Sequence, residues 1–160
     1  MMRRLLLLML VVAVAACVAN RVHYVTLDHP TYATEAIVDA PRPRVWAAVQ
    51  AVMASYPLAV VDEQATTLTT EWSFAKSDTT REVVQLGDEV ENHPVETRER
   101  ITVEVTPVGV GTRVAVHREV LENRRYTEGI RRYYAADHYV DSPSSTVVEH
   151  RLLEEIQRRL

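Results

Sequence analysis

The sequence predicts an α+β domain, an antiparallel meander sheet packed on two helices in the order strand, helix, strands, helix. Three observations carry that expectation. Val45, Trp46, Val49, Val52, Met53 and Tyr56 recur at spacings of three and four, the period of one helix face. Ile101, Val103 and Val105 alternate with Arg100, Thr102, Glu104 and Thr106, the period of a half-buried strand. Val148, Leu152, Leu153, Ile156 and Leu160 then return to the helical period at the end of the chain. Strands that alternate in this way belong to a sheet with one covered face and one facing solvent.

The chain opens on Met1-Met2-Arg3-Arg4 and runs from Leu5 to Ala16 without a polar side chain before reaching Cys17. A short positive head, an apolar stretch and small residues at the end are the parts of an export signal. Twelve residues of helix rise roughly 18 Å, well short of the roughly 30 Å that a spanning helix must cross. The end of the run, Val14-Ala15-Ala16-Cys17, resembles the lipobox of bacterial lipoproteins, with Val where Leu is commoner. That resemblance implies cleavage before Cys17, acylation of Cys17 and a stable membrane anchor on two or three chains. It divides the chain into a signal peptide, 1–16, a lipidated N-terminus and tether, 17–33, and one domain, 34–160. Cys17 is the single cysteine, and a lone thiol in an oxidising compartment has no intramolecular partner unless it is modified. The alternative is ordinary signal cleavage after Ala13-Val14-Ala15. Val18 follows the cysteine rather than Asp, which in lipoprotein sorting favours an outer membrane, facing the periplasm.

Between Val18 and Thr31 there is no sustained period, although His23–Leu27 allows a brief strand. Thr34–Asp39 reads as the first strand of the domain, closed by Pro41. Pro43 suits the first turn of the helix that follows, where its missing N–H is not needed, and Tyr56-Pro57 ends that helix. Leu58–Val61 is a compact apolar strand. Leu68, Thr70, Trp72 and Phe74 then fall on one face of a further strand, opposite Thr67, Thr69, Glu71 and Ser73.

From Lys76 to Glu96 the chain is polar apart from Val83-Val84, which reads as a short strand bordered by a long loop. Pro107-Val108-Gly109-Val110-Gly111 supplies turn chemistry between the Ile101–Val105 strand and a partner carrying Val114, Val116 and Val120. Arg118 interrupts the apolar face of that partner, so a bulge or strand end is expected there. Glu122–Asp141 is dense in Arg and Tyr and shows no clear period. Ser142-Pro143 offers a cap and a first-turn proline, and Thr146-Val147-Val148-Glu149 fits a capping box for the last helix.

The stretch Pro41-Arg42-Pro43-Arg44-Val45-Trp46-Ala47-Ala48-Val49, with Val60-Val61-Asp62 and Leu68-Thr69-Thr70-Glu71-Trp72, resembles the helix-grip domains of the BamC lipoproteins of the outer-membrane barrel assembly machinery. The resemblance covers residues 34–75 and beyond them rests on element order. It implies a helix-grip-like fold and an assembly role beside an envelope protein. The chain departs from the pattern in having room for one such domain instead of two.

Removing Arg3 and Arg4 from the 18 basic residues leaves 16 against 22 acidic ones, a net charge of −6 that does not suit a nucleic-acid binder. The six histidines show no spacing of two or four, and no second cysteine exists, so neither a metal nor another cofactor is expected. Asp137-His138 and Glu149-His150 read as a solvated loop and helix cap rather than an acid–base pair. Ser144-Ser145 lacks a nucleophile elbow, and Gly109-Val110-Gly111 joins strands rather than opening a helix onto a phosphate. Trp46 and Trp72 sit on apolar stripes and read as core. Arg124, Arg125, Tyr126, Arg131, Arg132, Tyr133 and Tyr134 are the candidate partner contact, because Arg and Tyr combine large contact area with directional donors. The expectation is a non-enzymatic, lipid-anchored envelope protein that binds a protein partner. The alternative is a carrier of a small ligand or lipid, held in a cavity between helix and sheet.

Overall fold

The computed structural model describes residues 21–125 and 137–160. Its elements are β1 (Arg21–Thr26), β2 (Glu35–Val38), α1 (Arg42–Met53), β3 (Leu58–Asp62), β4 (Thr67–Thr70), β5 (Ser73–Leu86), β6 (Glu89–Val108), β7 (Gly111–Asn123), β8 (Tyr139–Ser142) and α2 (Val147–Arg158). All eight strands join one antiparallel sheet. β6 is its axis. Along one edge β6 pairs with β5 and then β4, and along the other with β7. Outside these, β1 lies on β5, β3 on β4, and both β2 and β8 on β7.

The expected α+β class is overturned. Strand makes up 54% and helix 19% of the described residues, an open sheet that dominates two short helices. The excess comes from Lys76–Glu96, where only a short strand at Val83-Val84 bordered by a long loop was expected. This stretch is a continuous hairpin, with Leu86 opposite Glu89 and Gly87 at φ 64 in the turn. Polar side chains on both faces of the hairpin give it no apolar period, so the alternation that marks a strand is missing from the sequence. β1 completes this three-stranded arm, with Val22 opposite Val84 and both buried.

Two irregularities in the strand beside β6 decide which side chains face the core. Thr69 lies opposite Thr102 and Ser73 opposite Glu99, so four steps on one strand match three on β6. One surplus residue reverses the alternation, because side chains repeat every two residues. Leu68 therefore enters the core, whereas Phe74 lies opposite Arg98 on the outer face and is 75% exposed. Trp72, expected in the core, is likewise on the exposed side at 38%. The second irregularity lies between Lys76, opposite Glu96, and Arg81, opposite Pro94. Five steps there match two on β6, and three surplus residues turn the alternation back. The Ser77 hydroxyl stabilises the detour by accepting from the Thr79 and Thr80 amides at 3.3 and 2.9 Å.

The helices cover only one end of one sheet face. Val45, Val49 and Met53 from α1 and Leu152, Leu153 and Ile156 from α2 meet Leu68, Ile101, Val103, Val105, Val114 and Val116. Each large aliphatic side chain fully buried here contributes about 1.5–3 kcal/mol. α1 begins at Arg42-Pro43 as expected, and its end at Met53 leaves Tyr56 packed partly against the core. The start of α2 differs from the expected capping box. Thr146 is left-handed at φ 57 and its hydroxyl accepts from the Tyr32 amide at 2.7 Å instead. Ser142 ends β8 rather than capping a helix.

Among the turns, Gly111 is the one most tightly enclosed. A Cβ there would lie 2.8 Å from the Val38 carbonyl oxygen on β2. Gly111→Ala is expected to push β2 away from β7 and cost about 1–3 kcal/mol, the usual range for overpacking. A urea melt of the variant checks it, and an unchanged midpoint would refute the close approach.

Candidate interaction face and buried polar cluster

The outer face of the sheet carries alternating arginines and aromatic rings at its centre. The Arg98 guanidinium lies 5.1 Å from the Phe74 ring centroid and 4.7 Å from that of Tyr139. Arg100 lies 4.8 Å from the Trp72 centroid and is held from its other side by Glu119, at 2.7 Å. Stacks of this kind contribute about 0.5–1 kcal/mol each at exposed sites, enough to hold a ring's attitude without covering it. Next to Phe74 the same face continues through Lys76 and Glu96, which pair at 3.3 Å. Arg125 also meets Glu96 there. Lys76, Glu82, His93, Glu96, Asn123 and Arg125 line an open cavity of about 210 Å³ at this end.

The opposite face carries charge where apolar residues would be expected. On β7 the inward series Val114, Val116, Arg118, Val120, Glu122 keeps strict alternation, so no bulge or strand end occurs at Arg118. The expected irregularity lies instead in β5, where the detour Ser77–Thr80 brings Asp78 to Arg118. Arg118 donates to Glu99 Oε2 through Nε at 2.8 Å and Nη2 at 2.5 Å, and to Asp78 Oδ2 through Nη1 at 3.3 Å. The Ser145 hydroxyl also donates to Asp78. Ser144 donates to Glu149 Oε1 at 2.7 Å, while Glu149 Oε2 is buried without a donor among the described residues. Glu122, fully buried, accepts from Ser142 at 2.5 Å and Ser77 at 3.3 Å and faces the Arg124 guanidinium at 3.4 Å.

The electrostatics follow from this geometry. Burial disfavours the Asp78 carboxylate, but the Ser145 hydroxyl and the Arg118 charge outweigh it and hold the carboxyl below its ordinary 3.8. Burial likewise disfavours the Arg118 cation, and its bonds to Glu99 and Asp78 reverse the effect and raise its pKa. The cluster ties β5, β6, β7 and the start of α2 together. Within it Arg118 is fully engaged, with Nε and Nη2 on Glu99 and Nη1 on Asp78.

The structure separates the residues singled out in the sequence. Cys17 and, from the Arg/Tyr-rich segment, Tyr126, Arg131, Arg132, Tyr133 and Tyr134 lie outside the described residues. Arg124 stacks on Tyr24, 4.9 Å from the ring centroid, and lies between that ring and Glu122. Arg125 reaches the outer face. Trp46 is core, with its indole N–H donating to Glu63 at 2.6 Å. His150 stacks on Tyr32 with centroids 5.0 Å apart, and Asp137 accepts from Asn123 at 2.8 Å, so the two acidic–histidine pairs serve separate contacts. Among the described residues no three His, Cys, Asp or Glu side chains are placed to hold a metal ion, and no helix is long and apolar enough to cross a membrane.

Arg100 and Phe74 enter the sequence reading only as strand-face residues, and Arg98 does not enter it at all. Alternation extended upstream from Ile101 would have placed both arginines outward, but the surplus residue that exposes Phe74 leaves no mark in the pattern. Alternation extended past Val120 would have found Glu122. No protein-family model matches the chain, and no curated protein sequence matches it.

Arg118→Met removes the cation that Glu99 faces and should cost about 3–5 kcal/mol, the range for breaking a buried pair from one side. Urea denaturation measures it; a loss below 1 kcal/mol would refute the role of the cluster. Because Asp78 titrates lower in the folded chain than in the unfolded one, its contribution is present above about 3.8 and is lost as pH falls through the folded value. Asp78→Asn should therefore flatten the acid limb of Tm against pH below about 4. A wild-type acid limb in the variant would contradict that assignment.

Proposed function

We propose that this chain is a non-enzymatic lipoprotein of the cell envelope, anchored through Cys17 in the outer membrane and facing the periplasm, whose body binds a protein partner. The observation that carries the reading is the outer sheet face. Phe74 and Trp72 stand exposed beside Arg98, Arg100 and Tyr139, the residue types that dominate the energetics of protein contacts. The stacked arginines hold both rings in place, so little side-chain entropy is lost on binding. Arg125 adjoins this face through Glu96, and the Arg/Tyr-rich segment that begins there, with Tyr126, Arg131, Arg132, Tyr133 and Tyr134, is proposed to extend it. An assembly role of the kind that the BamC resemblance implies suits such a surface.

The carrier reading is less well supported. Val45, Val49, Met53, Leu68 and Val103, all fully buried, fill the space between helix and sheet where a ligand would lie.

Two measurements test the proposal separately. Cys17→Ala should move the chain from the membrane fraction to the soluble fraction; retention on the membrane after signal cleavage would sink the anchor. A photo-cross-linking side chain at Phe74 should capture a discrete protein, whereas one at the exposed Val110 should not. Arg98→Ala with Arg100→Ala in the chain that carries the cross-linker should weaken that capture about tenfold or more, equivalent to at least 1.4 kcal/mol. Equal capture at both positions would sink the binding face.

A further inference from the structure

β3 is an outermost strand of the sheet, paired among the described residues with β4 alone. All five of its residues, Leu58-Ala59-Val60-Val61-Asp62, are exposed, so the helices cover neither of its sides. Its outer edge offers a row of backbone donors and acceptors that only another extended strand can match. The remaining outer edges are guarded. β1 carries Arg21 and His23, β2 carries Glu35, β8 carries Asp141, and the part of β6 beyond β7 carries Glu89, Glu91 and Pro94. Charges and proline at an edge discourage pairing between molecules. β3 has no charge before Asp62, and the Asp62 carboxylate is turned into its own turn, accepting from the Gln64 and Ala65 amides at 2.9 and 2.8 Å.

We propose that β3 pairs with β3 of a second copy of this chain, antiparallel about a two-fold axis through Val60. Two-fold pairing within a continuous sheet keeps each side chain on its own face, so opposed residues must share parity. The register centred on that axis places Val60 opposite Val60 and Ala59 opposite Val61 of the other copy, while Leu58, which the register shift at Ala59 turns to the face opposite that of Val60 and Asp62, lies outside the regular pair. It joins apolar to apolar at the centre and keeps the two Asp62 carboxylates at opposite ends of the pair. Repulsion between acidic chains is least in that arrangement. The extra residue at Ala59, where the register with β4 shifts, shortens the regular part of the edge. The contact is therefore small and exchangeable, and a covalent trap reads it better than a mass measurement.

In an antiparallel pair, directly opposed residues bring their Cα atoms to about 4.5–5.5 Å, within disulfide reach, whereas diagonal neighbours lie about 7–8 Å apart. The full-length chain carrying Val60→Cys, expressed in its own membranes and mildly oxidised, should form a disulfide-linked dimer. Val61→Cys, one residue along, should form at least fivefold less, and the parent chain with Cys17 alone should form none. Equal dimer from Val60→Cys and Val61→Cys would reveal collision rather than register and overturn the proposal. A disulfide from Val60→Cys to a different protein, or no product with the chain folded by circular dichroism, would also overturn it. The contrast between Val60→Cys and Val61→Cys does not depend on Phe74 capture, and repeating it on the Cys17→Ala background removes any contribution of that thiol, so the two readings fail independently.

Discussion

Strand β6 is paired along both edges, and its hydrogen-bond ladders fix where everything else lies. Over its 20 residues it meets β5 and β4 on one side and β7 on the other. Its pairing with β7 keeps a single register throughout, so the inward series on β7 is locked to Ile101, Val103 and Val105. Its other edge absorbs all the irregularity, four surplus residues in two places. The faces of the sheet are set by that contrast between a rigid ladder and a broken one.

The regular ladder was legible in the sequence and the broken one was not. α1, α2, β2, β3 and the β6–β7 turn all carry periods or turn residues that report their own geometry. The β5–β6 arm carries none, because Glu, Asn, His and Thr occupy both of its faces, and the expected α+β balance fails there. Trp72 and Phe74 were misplaced for a different reason. Their alternation with Leu68 and Thr70 is genuine in the sequence, but a surplus residue at the β4–β5 junction reverses it, and register against a distant strand is invisible to a local period. The candidate site divides in the same way. Arg98 and Arg100 follow from alternation, whereas their stacking on Trp72, Phe74 and Tyr139 depends on three strands meeting.

The two faces use charge oppositely. On the outer face, arginines are partly solvated and spread over aromatic rings, leaving a surface that can exchange water for a partner at small cost. On the inner face, Arg118 and Glu122 are withdrawn from water, Glu99 nearly so, and with the more exposed Asp78 they are bonded to one another and to Ser77, Ser142, Ser144 and Ser145. A buried ionic cluster is a weak source of net stability but a strict one of arrangement, since its energy collapses if a partner is displaced. It fastens the Ser77–Thr80 detour to α2, at the boundary where the helix-covered end gives way to the arm.

The single surplus residue between Thr69 and Ser73 makes the fold sensitive to chain length rather than to residue identity. Losing one codon there would send Phe74 inward and a neighbouring polar side chain outward with no change of composition. Many substitutions at Glu71 or Trp72 leave that count intact. Variation in this segment should thus be read by the number of its residues before their chemistry, much as a reading frame is kept by length and not by letters.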